Sequence, residues 1–159
     1  MNAARLLLAG AVLTSAVALY AKPAPHPSAP SAAELVAARQ AGMDMSASSL
    51  TLLKNASTNG VPMKNLAFPA SGLAKWAVVL PTLFADSTKG AKSEAKAEVF
   101  TDRAGFNAKA QAYIDATKAL AAAAAADDKP AFDAALASTG AACKGCHDGY
   151  KAAAPAKPG

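Results

Sequence analysis

Gly140-Ala141-Ala142-Cys143-Lys144-Gly145-Cys146-His147-Asp148-Gly149-Tyr150 lies near the end of a 159-residue chain and holds its only two cysteines and one of its two histidines. Cys143, Cys146 and His147 spell C-x-x-C-H. At this spacing two thiols add across the vinyl groups of one haem, and the histidine ligates its iron. Positions i, i+3 and i+4 share one face of an α-helix. One helical turn therefore delivers two thioether anchors and an axial imidazole to the same porphyrin. The motif predicts a single covalent haem c anchored by Cys143 and Cys146, with His147 on the metal, and a helix to carry it.

Three other chemistries use such residues. A structural disulfide between helical i and i+3 positions has poor S–S geometry and closes only a trivial loop. A thioredoxin-like C-x-x-C sits where a helix begins, after a strand, whereas this one ends a helical run. Zinc could take Cys143, Cys146 and His147, but there is no further cysteine, and the second histidine, His26, lies in a proline-rich segment where it is expected to have no role.

At the other end, Arg5 precedes an apolar run from Leu6 to Tyr20, the form of a secretory signal peptide over residues 1–21. The run falls short of the roughly 20 apolar residues of a comfortable membrane span. Membrane association is expected only if this leader is retained as an anchor. Residues 22–30, KPAPHPSAP, carry four prolines and read as an extended linker. The domain proper is expected over 31–152, with a flexible tail over 153–159.

Sixteen basic and 11 acidic residues give a net charge of +5, which falls to +4 once the segment with Arg5 is removed. The lysines are scattered and lack interleaved aromatics, so nucleic-acid binding has no support. They suit a soluble surface or steering toward an acidic redox partner protein. The remaining length suits one domain, and its alanine-rich composition favours helix throughout.

Four helical segments are legible. Ser31 and Glu34 form a capping box for a first helix that ends at Asn59-Gly60. Leu35, Arg39, Met43, Leu50 and Leu53 lie along its inner stripe, while Met45 faces away. Pro62 and Pro69 punctuate the next stretch, so a short or kinked second helix is expected over 72–80, with Leu73, Trp76, Val79 and Leu80 inward. Met63 falls in its irregular part. A polar loop, 86–92, leads to a third helix expected over 93–126, with Phe106, Ala110, Tyr113, Thr117 and Leu120 buried, Glu98 and Arg103 outside, and a slight bend at Gly105. Asp127-Asp128-Lys129-Pro130 starts a fourth helix, whose inner stripe runs Phe132, Leu136, Thr139, Cys143, Cys146, His147 and Tyr150. The fold class expected is all-α, an antiparallel up-down four-helix bundle.

These pieces resemble a class II c-type cytochrome, the cytochrome c prime family and its low-spin relatives. The resemblance runs from about Glu34 to Lys151. Its specific points are Arg39-Gln40, Leu80-Pro81 with Leu83-Phe84, Glu98-Val99-Phe100 and the run Cys143 to Lys151. It implies a periplasmic location, a monomer or homodimer, a haem propionate near Arg39, and Met43 at the sixth iron position. Pro69 in the second helix and Lys151 in place of a common arginine depart from the family pattern. With methionine at position 43, the resemblance implies the low-spin, methionine-ligated branch, with His147 and Met43 as axial ligands. The function expected is then a one-electron carrier and not an enzyme. The alternative is a five-coordinate, nitric-oxide-binding protein of the cytochrome c prime type, in which Met43 is not bound.

Overall fold

A computed structural model describes residues 29–153. The expected leader, residues 22–28 of the linker with His26, and residues 154–159 of the tail lie outside them. Helix α1 spans Ala32–Thr58. Both arms of its capping box form: Ser31 Oγ accepts from the Glu34 amide at 3.3 Å, and the Glu34 carboxylate accepts from the Ser31 amide at 2.7 Å. Its end at Asn59 is followed by Gly60 at φ +74°, a left-handed turn that a residue without Cβ adopts freely. Val36, Arg39, Gly42, Ser46 and Leu53 are buried, whereas Met45 is 70 % exposed.

The second helix is longer than its prolines suggested. A 3-10 turn, Met63–Leu66, runs directly into α2, Ala67–Val79, and a second 3-10 turn, Leu80–Leu83, follows. Pro69 is the third residue of α2, within the first turn, where a backbone N–H has no intrahelical acceptor and its loss costs nothing. Leu73 and Ala77 are buried, and Val79, expected inward, is exposed.

The expected third helix is instead broken. Residues 93–97 are not α-helical, α3 covers only Glu98–Thr101, and α4 runs Arg103–Ala125. The interruption falls at Asp102, three residues before Gly105. The Asp102 carboxylate takes the Gly105 amide at 3.1 Å and so caps α4 instead of letting α3 continue. Helices α4 and α5 (Lys129–Tyr150) are joined by residues 126–128. In that turn Asp127 adopts φ +55°, and its carboxylate accepts from the Lys64 amide at 3.0 Å while pairing with Lys64 Nζ at 3.3 Å. Asp128 caps α5 by accepting from the Ala131 amide at 3.0 Å.

Helix α1 packs on α2 and α5, and α4 packs on the same two helices. With short connections between neighbours, this is the expected four-helix bundle. Its main core joins Leu53, Met63, Leu66, Leu73, Tyr113, Leu120 and Phe132. Each large apolar side chain buried there contributes about 1.5–3 kcal/mol. A smaller cluster of Phe84, Val99 and Phe106, with Met43 and Tyr150 against it, forms where α5 ends. Phe68, Val78 and Val79 on α2, like Met45 and Leu52 on α1, leave large apolar side chains in solvent.

Candidate haem-binding site

The last two turns of α5 bring Cys143, Cys146 and His147 onto one face, as their spacing requires. Both cysteines are unpaired and half-buried, and burial pushes each thiol above its ordinary range. Burial, followed by the Lys151 charge, holds the His147 imidazolium below its usual range and favours the neutral ring that binds metals. Among the described residues, no three His, Cys, Asp or Glu side chains converge as a ready-made metal-holding group.

Two adjoining clefts open beside this face, about 480 and 780 Å³ including the solvent at their mouths. Met43, Phe84, Phe106, Cys146 and His147 line both. The first extends past Arg39, Gln40, Glu94 and Lys151. The second is walled by Leu50, Trp76, Leu80, Ala110 and Tyr113, and Cys143 faces it. Cysteines, histidine and the sole inward methionine of α1 thus meet in one space. Met63 is not part of it, being buried in the main core.

A planar apolar group with polar edges fits what the clefts offer. Their walls are aromatic and aliphatic, as binding sites for such groups are. Among the described residues, Trp76 Nε1 and Tyr113 Oη are buried without a hydrogen-bond partner, and both residues wall the second cleft. Burial pushes the Tyr113 hydroxyl up to about 12, so it remains a donor. The neighbouring Ser46 hydroxyl donates to the Gly42 carbonyl at 2.7 Å.

At the polar end, Arg39 is 3 % exposed. Its Nη1 donates to the Leu83 carbonyl at 3.3 Å and to Thr88 Oγ1 at 3.1 Å, and its Nη2 donates to Ser93 Oγ at 2.9 Å. The guanidinium carbon lies 4.4 Å from the centre of the Phe84 ring. No carboxylate among the described residues pairs with it, so a buried cation at the mouth of a cleft is held by neutral oxygens and an aromatic face. An anionic edge on the bound group suits that position. Arg39 also ties the loop between α2 and α3 to α1, a task its helical phase did not announce.

The far end of α5 is clasped to α4. Tyr150 Oη donates to Asp102 Oδ2 at 2.7 Å, and its ring meets Phe106 edge-on at 5.5 Å; Phe106 in turn meets Phe84 at 5.0 Å. Arg103, expected outside, stacks over Phe106 at 5.5 Å and donates to the Phe84 carbonyl at 2.6 Å. Neither the clasp nor the anchoring of Arg39 by Thr88 and Ser93 was legible in the sequence. Phe84 and Phe106 stood out only as a family landmark and a buried face.

Comparison with known proteins agrees with this arrangement. The family described as Cytochrome C' matches residues 34–151. A cytochrome c' of Pararhodospirillum photometricum is 47% identical over 73 residues, covering 45% of this chain and 58% of that protein. One of Rhodospirillum rubrum is 39% identical over 84 residues, covering 52% and 57%. The matched stretch thus spans a little over half the length of these curated relatives. Solved structures align over nearly the whole bundle. The Rubrivivax gelatinosus cytochrome c' gives a TM-score of 0.70 at 31% identity over 76% of this chain and 97% of that one. A ferrous variant of cytochrome c prime from Alcaligenes xylosoxidans with bound NO gives 0.73 at 28% identity over 80% and 100%. Helical fold, C-terminal motif and family match coincide over the same residues, and the chain belongs to the cytochrome c' family, whose cofactor is a covalent c-type haem.

Proposed function

We propose that this protein is a haem protein that binds a small gas such as nitric oxide, with His147 as its one axial side chain. Cys143 and Cys146 hold the cofactor by thioether bonds, and Arg39 faces a propionate. Met43 forms part of the wall of the clefts that His147 also lines. When bound, the haem supplies an iron with a vacant position for a diatomic ligand. The chain supplies the rest. Helix α5 orients the imidazole, Phe84 and Phe106 exclude water, and Met43 limits the room beside the metal.

One observation carries this reading over a methionine-ligated electron carrier. Met43 packs into the cluster of Phe84, Val99 and Phe106, where a thioether makes favourable contact with aromatic edges as filler. The relatives support the same choice: they are cytochromes c', one of which, from Alcaligenes xylosoxidans, has been solved with nitric oxide bound in several variants, and cytochromes c' are ordinarily high-spin and five-coordinate. They do not support the low-spin branch that methionine at position 43 implied. That branch stays the second reading because Met43 lines both clefts together with His147. Absorption spectra of the ferric and ferrous protein decide between them. A high-spin spectrum that changes promptly on adding nitric oxide supports the proposal; a low-spin spectrum with the near-infrared methionine-to-iron band returns the function to electron transfer.

Export to the periplasm and a homodimeric state are part of the same proposal. A related cytochrome c' shows ligand-controlled dimer dissociation, and Phe68, exposed to 90 %, is the sort of apolar side chain that an association surface covers.

A further inference from the structure

The geometry points to Asp102 and Tyr150 as a positioning pair for the His147 imidazole, which rests on the reading of His147 as the iron's axial ligand. Tyr150 follows His147 by three residues and so lies on the same face of α5. Its hydroxyl donates to Asp102 Oδ2 at 2.7 Å, while the other carboxylate oxygen accepts from the Gly105 amide at 3.1 Å. One carboxylate therefore starts α4 and fixes the end of α5. Gly105 is required for this, since a Cβ there would collide with both the Asp102 carboxylate and the Tyr150 hydroxyl.

A second set of bonds holds the same turn. Residues 94–96 pair with 150–152: the Lys96 amide donates to the Tyr150 carbonyl at 3.0 Å, the Ala152 amide to the Glu94 carbonyl at 2.7 Å, and Lys96 Nζ to the Asp148 carbonyl at 3.1 Å. The backbone pairing fixes how far the turn reaches along the helix axis. The Tyr150 hydroxyl adds a link from this turn to the start of another bundle helix, α4, and a second off-axis tether limits rotation of the turn about the helix axis. Rotation would change the direction in which His147 presents its imidazole to the iron, while Cys143 and Cys146, within the preceding turn of α5, would hold the haem by its edge. The pair would thus hold the direction from which His147 meets the iron without itself touching the cofactor.

Tyr150→Phe keeps the ring contact with Phe106 and removes only the hydrogen bond. In the ferric holoprotein, the hyperfine-shifted ring-proton resonances of the axial imidazole are expected to move or double, and in the ferrous five-coordinate form the iron–histidine stretching band is expected to shift or broaden. Asp102→Asn, whose carbonyl can still accept from the Gly105 amide while its NH2 donates to the Tyr150 hydroxyl, keeps the link with its direction reversed and should retain the wild-type pattern; Asp102→Leu should behave like Tyr150→Phe. Imidazole resonances unchanged in Tyr150→Phe overturn the inference. The ferric measurement is informative in either spin state. A low-spin wild type would defeat the gas-binding proposal while leaving this inference to stand or fall on its own resonances.

Discussion

The six-membered ring of the Trp76 indole occupies the space that a Cβ on residue 42 would need, so α2 meets α1 across Gly42, one residue before Met43. Alanine at position 42 would overlap Cη2 and Cζ2 of that ring. Gly42→Ala is therefore expected to destabilise the protein by about 1–3 kcal/mol, the usual cost of overpacking, despite the better helix propensity of alanine. Thermal unfolding checks the loss. In the double variant with Trp76→Leu the two effects should fail to add, because removing the ring relieves the overlap.

Covalent attachment gives the second prediction. Colour should stay with the protein through acid-acetone extraction. His147→Ala should keep the colour, since both thioethers remain, but change the spectrum and lower stability by several kcal/mol, roughly the size assigned to losing a metal contact or a major core element. Extraction of the colour into the solvent would contradict the roles given to Cys143 and Cys146.

Met43→Ala separates wall from ligand. If Met43 is wall, the variant keeps a high-spin spectrum and binds carbon monoxide or nitric oxide faster, because a side chain between α1 and the metal is gone. If it is a ligand, the wild type is low-spin and the variant becomes high-spin. Met45→Ala, altering an exposed side chain, and Met63→Ala, altering one in the main core, should leave the spectrum unchanged. Stopped-flow mixing and absorption spectra read all three variants.

Arg39→Leu removes the donors to Leu83, Thr88 and Ser93 and the stacking on Phe84. Charge-assisted hydrogen bonds contribute about 1.5–3 kcal/mol each, less when cooperative, so a loss of about 3 kcal/mol is expected by chemical denaturation. Arg39→Lys should recover only part of it, because a single ammonium lacks the planar fork that serves three acceptors on two sides.

Acid should destabilise the bundle through identifiable carboxylates. The hydrogen bonds from Tyr150 and the Gly105 amide hold Asp102 below its ordinary range, and Lys129 with Ser57 does the same for Asp133. A carboxyl depressed in the folded state stabilises it above the unfolded-state value, and that contribution disappears as pH falls through the folded one. Stability should hold from neutral pH to the ordinary carboxylate range and then decline. Asp102→Asn should flatten the decline in the unfolding midpoint measured against pH.

Much of this architecture was legible because the signals were local. The Ser31 and Glu34 capping box fixed one helix start, the phase along α1 separated Met43 from Met45, and the spacing of Cys143, Cys146 and His147 announced its own chemistry. The misreadings were of a different physical kind. Pro69 was taken as an interruption, but whether a proline breaks a helix depends on which turn it occupies. Asp102 divides what propensity alone would run together, because its carboxylate competes for backbone amides. The partners of Arg39 come from a loop 44 to 54 residues away in sequence, and no periodicity within α1 encodes them. Whether Met43 binds metal or fills space is likewise invisible to helical phase, which gives direction and not bond formation.

The turn at residues 126–128 bears on how the protein is made. Helices α4 and α5 close on each other over three residues, and contacts so near in sequence form early in folding. Cys143 and Cys146 ride on the second arm, where both are half-buried and burial pushes each thiol above its ordinary range. On the proposed reading, in which these two thiols take up the haem, an open chain would present them more freely than the closed hairpin, and a variant that stabilises this turn is expected to yield more colourless protein even as its fold becomes harder to melt.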